Sequence, residues 1–503
     1  MMRWQTTIPL LLGATSLLAL ALLWRNAGNV VAAPLRLPGQ DRAAGTSSAS
    51  TVDLRGELLG AVPNPVPPPQ LTDAISASSP GWPTFRGPDH TAINRESIPL
   101  DTTLKHAKIC WQVALGEGYA GPAIAAGKLY VLDYDAPKSA DVLRCLAVEN
   151  GEDLWRRSYK VDIKRNHGMS RTVPAVSPPL PGPDGTPHRY VVTLGPKAHI
   201  LCLDAANGDF IWGQDLTDEY GTKVPPWYAG QCPLIDNDST ATPRLILAPA
   251  GEKTLITALD LATGKPIWET PNPRGWTMTH VSILPLTFEG RRMYIYCGSA
   301  GVAGVDAATG QLLWETFAWK VNIATVPTPV DLGTGRILFT GGYGAGAMIG
   351  QLVSSTPTGG TTQPALPYRL DVVQRFAPSD LGAEQQTPIF RDNLIFAILP
   401  GGGQLVCLDR TGQPRWRSST TGGGGRYGLG PYLLSPDALW ILNDTGTLTA
   451  IAPKPDKFTV LGEKKIIVKA AECWGPMALV DGRLFARDLT HLVCIDLRQP
   501  ERL

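Results

Sequence analysis

Apolar and polar positions alternate in short runs along this chain, and one run recurs with nearly the same residues. The repeated pattern has two apolar residues, an Asp, a spacer, an Asn-Gly or Thr-Gly pair, and a Trp three or four positions later. It occurs at 202–212, 258–268, 304–314 and 407–416, with a weaker copy at 145–155. Each copy predicts a strand, a tight turn and a second strand, because the Asp carboxylate can bind turn amides and Gly tolerates positive φ. The Trp is then a packing anchor on the second strand.

The spacing of these copies predicts the number of repeats. The Trp residues of the first copies lie 46 to 57 positions apart, whereas Trp416 follows Trp314 after 102. One degenerate repeat is therefore expected within 315–400. A second marker, a Pro before an apolar β-rich run, occurs at Pro122, Pro174, Pro233, Pro329, Pro388, Pro431 and Pro476, with a Pro-free copy at 281–284. Eight such starts predict an all-β, eight-bladed β-propeller, in which no blade can bury its own faces alone. Seven blades is the alternative if one degenerate segment is an insertion.

The two ends of the repeat region complement each other. The last repeat stops at Cys494-Ile495-Asp496, where its fourth strand should begin, and a strand with its own Trp occurs at 108–113. We therefore expect this N-terminal strand to complete the eighth blade and to close the ring, which removes two exposed sheet edges. Cys110 and Cys494 would then lie on neighbouring strands, so a disulfide between them is geometrically possible.

The Asp-x-x-Thr-Gly-x-x-x-Trp signature resembles the repeat of pyrroloquinoline-quinone-like (PQQ-like) propellers. That family includes quinoprotein alcohol dehydrogenases and the propeller lipoprotein of the bacterial outer-membrane assembly machinery. The segment from Trp82 to Pro88, WPTFRGP, also resembles a lead-in found in exported bacterial proteins with this repeat. The resemblance covers about residues 80–498. It implies the fold and not the activity, because one scaffold carries many functions.

Composition and the N-terminal region indicate an exported protein. The chain has 45 Lys and Arg against 44 Asp and Glu without a basic run, so nucleic-acid binding is not expected. Arg3 precedes an apolar run at 8–23, which predicts a signal peptide or a single membrane anchor within 1–33. Residues 34–80 are rich in Pro, Ala and Ser and predict a flexible linker, followed by the propeller at 81–503. The expected location is periplasmic or otherwise extracytoplasmic, with membrane contact through the N-terminal segment alone.

Candidate ligand contacts follow from the propeller geometry. The residues just before each marker Pro should face the funnel through which the inner strands are entered. They are polar, aromatic and cationic, with few carboxylates, which favours an anionic or planar ligand; a solvated rim is the alternative. The candidates are Tyr119, His167, Ser170, Arg171, Tyr228, Gln231, His280, Gln385, Gln386, Arg426, Tyr427 and Trp474.

The resemblance raises the question of quinone-dependent catalysis. Quinoprotein dehydrogenases hold the cofactor over a Trp, beneath a disulfide of adjacent cysteines, and use Ca²⁺ and an Asp base. This chain has no Cys-Cys pair, no evident Glu/Asn/Asp set for a hard cation and no Cys-x-x-Cys-His for haem. We therefore expect a monomeric, non-catalytic scaffold without cofactor or metal, which binds a protein, peptide or cell-envelope partner. A PQQ-dependent dehydrogenase of an alcohol or sugar, with Ca²⁺, is the alternative. Residues 330–375, and Ser354–Pro364 in particular, are expected to carry partner specificity, because the repeat signature fails there.

Overall fold

The structure is a computed structural model that describes residues 52–60, 81–181, 187–237, 243–355, 366–418 and 425–500. Within these residues the strands form eight antiparallel sheets of four or five strands and one separate two-stranded hairpin. The fold is an all-β, eight-bladed propeller, as the repeat count predicted. The described residues belong to one compact unit, Ala49–Leu503.

Each blade has four strands, which run in order from the inner to the outer strand. Blade 1 consists of Ala123–Ala125, Lys128–Asp135, Ala140–Ala147 and Asp153–Lys160, and blade 2 of Ala175–Val176, Tyr190–Leu194, His199–Asp204 and Phe210–Asp215. Blade 3 consists of Leu234–Asp236, Arg244–Leu247, Thr254–Asp260 and Pro266–Pro271, and blade 4 of Leu284–Phe288, Arg291–Gly298, Gly301–Asp306 and Leu312–Thr316. Blade 5 consists of Val330–Gly333, Arg336–Gly341, Gly346–Ser354 and Tyr368–Phe376, and blade 6 of Ile389–Arg391, Leu394–Ile398, Leu405–Asp409 and Pro414–Arg417. Blade 7 consists of Tyr432–Leu434, Leu439–Leu442, Thr447–Ile451 and Val460–Lys465, and blade 8 of Ala478–Val480, Arg483–Arg487, His491–Asp496 and Lys108–Ala114. The remaining elements are Glu57–Leu59, a small hairpin of Leu180–Pro181 with Pro187–His188, a 3₁₀ turn at Ala136–Lys138 and the α-helix Leu216–Tyr220.

The marker prolines stand at the entrance to the inner strands. Six inner strands begin at the residue after a marker Pro, and Ala478–Val480 begins two residues after Pro476. The Pro-free copy leads into Leu284–Phe288. Proline cannot donate a ladder hydrogen bond, so it is tolerated where pairing begins and not inside a central strand.

The repeat signature joins each blade to its neighbour. In blade 4, Asp306 Oδ1 accepts the amide of Thr309 at 2.9 Å and so stabilises the turn that holds Gly310. A Cβ on Gly310 would lie 2.3 Å from the ring of Trp268 in blade 3. Two repeat Trp indoles also donate to a carbonyl of the next blade, Trp212 to Leu261 at 2.9 Å and Trp416 to Lys454 at 2.7 Å. The signature therefore encodes packing between blades.

Blade 5 is the degenerate repeat that the spacing predicted within 315–400. Its outer strand ends at Phe376, and a Cβ on Gly412 of blade 6 would lie 2.2 Å from that ring. Phe376 therefore takes the place that Trp155, Trp212 and Trp268 hold against the turn Gly of the next blade. Most of the predicted specificity segment, residues 356–365, lies outside the described residues.

The turn glycine offers a direct stability prediction. Gly310 has a φ of 71° and Gly275 a φ of 64°, but Gly275 has open space where a Cβ would be. Gly275→Ala should cost about 1 kcal/mol from backbone strain alone. Gly310→Ala should cost about 1–3 kcal/mol more, because the methyl group forces the Trp268 ring out of its packed position. Chemical denaturation of both variants checks this, and equal costs would contradict interblade packing as the role of the repeat Gly.

Blade 8 takes strands from both ends of the described chain. Lys108–Ala114 pairs antiparallel with His491–Asp496, with Ile109 opposite Ile495 and Trp111 opposite Cys494. The register shifts between Ile109 and Trp111, so Cys110 is the extra residue of a β-bulge. The indole of Trp111 donates to the carbonyl of Val148 in blade 1 at 2.8 Å.

The predicted linker needs one correction. Glu57–Leu59, inside the segment 34–80, is a strand that pairs with Arg156–Ser158 on the outer edge of blade 1. Two contacts hold this strand against blade 1. Leu58 packs against the core, and the carbonyl of Arg55 accepts a hydrogen bond from the Arg157 guanidinium at 2.5 Å. The predicted signal or anchor at 1–33 lies outside the described residues. Within the described part, no helix has both the length and the apolarity needed to cross a bilayer.

The lead-in segment Trp82–Asn94 lies inside the ring of inner strands. Trp82 exchanges backbone hydrogen bonds with Ile124 of blade 1, and the amide of Asn94 donates to Leu434 of blade 7 at 2.7 Å. Arg86 donates to the Thr387 carbonyl at the entrance to blade 6 at 2.8 Å. Opposite these contacts, Phe85 and His90 border a small cavity with the inner strands of blades 3 and 4. The segment therefore fills the central channel.

Candidate functional site

A cavity of about 290 Å³ lies at the wide end of this filled channel. Phe85 of the lead-in segment lines this cavity. The same side chain borders two small cavities beside the segment, so it lies at the inner end of the larger cavity. Most of the wall comes from the loops that enter the inner strands, and Tyr343 comes from the turn between the second and third strands of blade 5. The lining residues are Phe85, Tyr119, His167, Arg171, Trp227, Gly230, Cys232, His280, Ser282, Ala324, Val326, Tyr343, Gln385, Gln386, Trp474 and Pro476.

Seven of the twelve candidate residues from the sequence line this cavity. They are Tyr119, His167, Arg171, His280, Gln385, Gln386 and Trp474. The structure thus brings together residues from five of the predicted loops. Whether they bind a ligand remains a prediction.

The other five candidates point elsewhere. Ser170 Oγ lies 3.1 Å from Asp141 Oδ1 in the protein interior. Gln231 is buried and pairs with both backbone groups of Ala248, and the Tyr228 hydroxyl donates to the carbonyl of Lys164 at 2.7 Å. Arg426 makes an isolated bridge with Gln404, and Tyr427 is buried; neither residue lines the cavity. Ser170, Tyr228 and Gln231 thus bond to backbone or core groups, whereas Arg426 is exposed. None of the five lines the cavity.

Arg171 is the cationic group of the cavity wall. Its Nη2 donates to the carbonyls of Asn166 and His167 at 2.8 and 2.9 Å, and its guanidinium carbon lies 5.5 Å from the Tyr119 ring centre. Burial lowers the pKa of Arg171 to about 10, which leaves it charged at neutral pH. The buried Nε has no hydrogen-bond partner among the residues that the structure describes. A buried donor without a partner costs free energy and favours an acceptor from a ligand or water.

An aromatic pair stands beside this cation. The rings of Tyr119 and Trp474 have centres 5.1 Å apart and are tilted by 35°. The Tyr119 hydroxyl donates to Glu472, and burial together with this carboxylate raises the pKa of Tyr119. Trp474 Nε1 donates to Asp444 Oδ1 at 2.9 Å. The two rings are therefore held by carboxylates behind them, with their apolar surfaces available to a planar group.

His280 lines the cavity from the loop before the inner strand of blade 4. Burial, assisted by the nearby charge of Arg171, lowers the pKa of His280 to about 4. The imidazole is therefore uncharged at neutral pH. His280 can offer a hydrogen bond to a ligand, but it does not add to the positive charge of the cavity.

The sequence-based set missed several lining residues. Phe85 belongs to the WPTFRGP lead-in, whose recurrence in related sequences was its one signal. Trp227 and Tyr343 have φ angles of 62° and 55° and lie in loops. Neither residue occupies a position that recurs from repeat to repeat. Cys232 and Ser282 flank the entrances of blades 3 and 4 and were not distinguished from ordinary core positions.

The residues present do not fit a quinone held with Ca²⁺. The lining contains no Asp or Glu, whereas Ca²⁺ takes six to eight oxygen ligands. Among the described residues, no group of three or more His, Cys, Asp or Glu side chains could hold a metal ion. Cys232 is a single buried thiol, so the cavity also lacks the adjacent cysteine pair. No catalytic step can be derived through that cofactor.

Comparisons with known proteins agree with this architecture. The family described as outer membrane protein assembly factor BamB matches residues 138–356. Quinohemoprotein alcohol dehydrogenase from Comamonas testosteroni has a similar structure, with a TM-score of 0.55, 13% identity, and coverage of 84% of this chain and 81% of its own. BamB from Moraxella catarrhalis aligns with a TM-score of 0.49 and 12% identity over 78% of this chain and 99% of its own. No curated protein sequence matches the chain significantly. At these identities the structural likeness shows the β-propeller fold and no activity, and the family match is confined to residues 138–356.

Proposed function

We propose that this chain is an extracytoplasmic binding propeller that holds an anionic group of a protein or peptide partner in its funnel cavity. The observation that carries the proposal is Arg171, the charged side chain among the aromatic and amide residues that line the cavity. A carboxylate accepts such donors with the strength of a charge-assisted hydrogen bond. The end of a peptide, or an acidic side chain next to an aromatic one, has the matching chemistry.

The class of partner is supported by the matched family. Its description, outer membrane protein assembly factor BamB, names a protein that serves an assembly process at the bacterial outer membrane. By analogy we propose a protein partner in the cell envelope and an extracytoplasmic location for this chain. The lining residues support a binding role, because they offer aromatic surface, amides and one cation.

Arg171→Ala is expected to weaken binding of short peptides with a free carboxyl terminus by tenfold or more, because one charge-assisted hydrogen bond is worth about 1.5–3 kcal/mol. A fluorescent pool of short random peptides, with free or amidated carboxyl ends, provides the probe. Arg426→Ala is the matched control, since that cation precedes the inner strand of blade 7 and does not line the cavity. Equal binding by the Arg171→Ala protein and the wild type would overturn the proposed site. Equal binding of free and amidated peptides would exclude the carboxyl terminus as the anionic group that Arg171 binds.

The alternative function, a PQQ-dependent dehydrogenase of an alcohol or sugar, shares the fold. A ligand that binds the native state raises the melting temperature by mass action. We expect no rise when pyrroloquinoline quinone and Ca²⁺ are added to the protein. A rise of several degrees, with reduction of an artificial dye in the presence of an alcohol, would replace the binding role by catalysis.

Two finer features complete the proposal. We propose that residues 1–33 export the chain, as a cleaved signal or as an anchor, and that the pairing of Lys108–Ala114 with His491–Asp496 closes the ring. Closure of this kind leaves no free sheet edge between the first and last blades. Removal of residues 108–114 should therefore make the protein prone to association, which light scattering would detect.

A further inference from the structure

Two cysteines meet where the first and last parts of the propeller join. Cys110 is the extra residue of the bulge in Lys108–Ala114, and Cys494 lies opposite Trp111 on the neighbouring strand. In a β-bulge two residues of one strand oppose a single residue of the other, so Cys110 and Trp111 both face Cys494. Residues opposite each other on antiparallel strands have Cα atoms about 4.5–5.5 Å apart. That separation lies within the range that a disulfide spans.

The side chains are also in contact and differ in accessibility. Cys110 is exposed, and Cys494 is buried. The neighbouring Cys494 thiol lowers the pKa of Cys110 to about 6, with burial opposing the shift and Arg483 assisting it. The same contact, and burial, raise the pKa of Cys494. Cys110 is therefore the nucleophilic partner, because the thiolate is the reactive form.

The other cysteines do not share this environment. All eight cysteines lie in the described residues, and Cys145, Cys202, Cys232, Cys297, Cys407 and Cys473 are buried. Burial raises the pKa of each of these six thiols, for example to about 11 for Cys232. An oxidant in solution should therefore react first at Cys110.

We propose that Cys110 and Cys494 are a disulfide site that fastens the N-terminal strand to the last blade. The oxidant is a low-molecular-weight or protein disulfide, as oxidising compartments supply. The Cys110 thiolate attacks one sulfur of that disulfide, forms a mixed disulfide and expels one thiol. Cys494, after loss of its proton, attacks Cys110 Sγ and expels the second thiol. The protein dithiol loses two electrons and two protons, and the oxidant disulfide becomes two thiols.

The position of the bond explains why it would matter. It closes a loop from residue 110 to residue 494, which includes nearly the whole ring. Cross-links that close long loops constrain the unfolded chain strongly in the chain-entropy account. Without the bond, Lys108–Ala114 can separate from His491–Asp496 by breaking one strand pairing, which opens the ring between blades 8 and 1. With the bond, that local opening is blocked.

The test uses the full-length protein incubated with oxidised or reduced glutathione. Peptide mapping without reduction should show a Cys110–Cys494 cross-link after oxidation, and the melting temperature should be at least about 5 °C higher than in the reduced protein. Cys110→Ser removes an exposed thiol and should fold, show no cross-link and melt at the same temperature under both conditions. Cys232→Ser, at a buried thiol in the funnel wall, should keep the cross-link.

Two results would overturn the proposal. In the first, Cys110 remains in a mixed disulfide with glutathione, which would show that Cys494 does not attack Cys110 Sγ. The other is a cross-linked protein whose melting temperature equals that of the reduced form, because the bond then does not fasten the ring. Peptide binding by the funnel is read out separately, so failure of the proposed function leaves this test unaffected.

Discussion

Replacing Arg86 by Ala is expected to lower the free energy of unfolding by about 3–5 kcal/mol, the range for breaking a buried charged network. Arg86 is 9% exposed and donates four hydrogen bonds to backbone carbonyls. Two acceptors, His90 and Thr91, belong to the lead-in segment, and the other two, Thr387 and Pro388, belong to the entrance of blade 6. The guanidinium therefore holds the channel-filling segment to the ring.

The size of the effect follows from what the substitution leaves behind. Burial lowers the pKa of Arg86 to about 10, so the side chain is still charged at neutral pH and its interactions are charge-assisted. Alanine would leave buried carbonyls without donors, at about 1–3 kcal/mol for each one that water cannot reach. It would also leave a cavity next to Phe85, which would weaken the inner end of the ligand cavity.

Urea denaturation of the wild type and of Arg86→Ala provides the measurement. Arg95→Ala is the matched control, since Arg95 follows the same segment directly but is exposed and pairs with Asp89 at the surface. Its loss should change the free energy of unfolding by at most about 1 kcal/mol. Equal stabilities for the two variants would show that the guanidinium does not anchor the lead-in segment.

Asp141→Asn is expected to stabilise the protein above pH 7 by up to about 4 kcal/mol and to have little effect near pH 4. Asp141 is 1% exposed, and the hydroxyls of Tyr159 and Ser170 lie 3.1 Å from its carboxyl oxygens. Burial raises the pKa of Asp141 from 3.8 to about 7, although both hydroxyls and the nearby His199 oppose the shift.

The sign follows from proton linkage. The native state binds the proton more tightly than the unfolded state, so the stabilisation from protonated Asp141 is complete below about pH 3.8. It is lost progressively as the pH rises to about 7, where the folded carboxyl ionises. Asparagine is an uncharged side chain of similar shape and does not incur this loss. The difference between the variant and the wild type should therefore grow between these two pH values and then remain constant.

Unfolding free energies measured from pH 4 to pH 9 would check this profile. Asp392→Asn is a suitable control, because Asp392 is exposed and remains solvated in both states. A difference between Asp141→Asn and the wild type that does not vary with pH would contradict the buried carboxyl as the titrating group. Destabilisation at all pH values would mean that the amide cannot replace the acceptor roles of the carboxyl.

The candidate site was only partly predictable from the sequence. The positions before the marker prolines identified the loops of the funnel, and Arg171, Tyr119 and Trp474 do line the cavity. Ser170 precedes Arg171 directly, yet it turns inward to Asp141. Neighbouring side chains in a loop point in different directions, and no periodic pattern indicates which of them faces the cavity. Phe85 enters the cavity from a segment far from these loops in the sequence.

The amino-acid sequence alone determined the eight blades, the entrances to the inner strands and the degenerate fifth repeat. It could do so because each of these features depends on local chemistry that recurs: an Asp that binds turn amides, a Gly with positive φ, a Trp anchor and a Pro that cannot donate. The tertiary structure alone decided that Trp82–Asn94 fills the channel and that Glu57–Leu59 extends blade 1. These features depend on contacts between residues far apart in the chain, such as Arg86 with Thr387, and each occurs once, so no repetition reveals them.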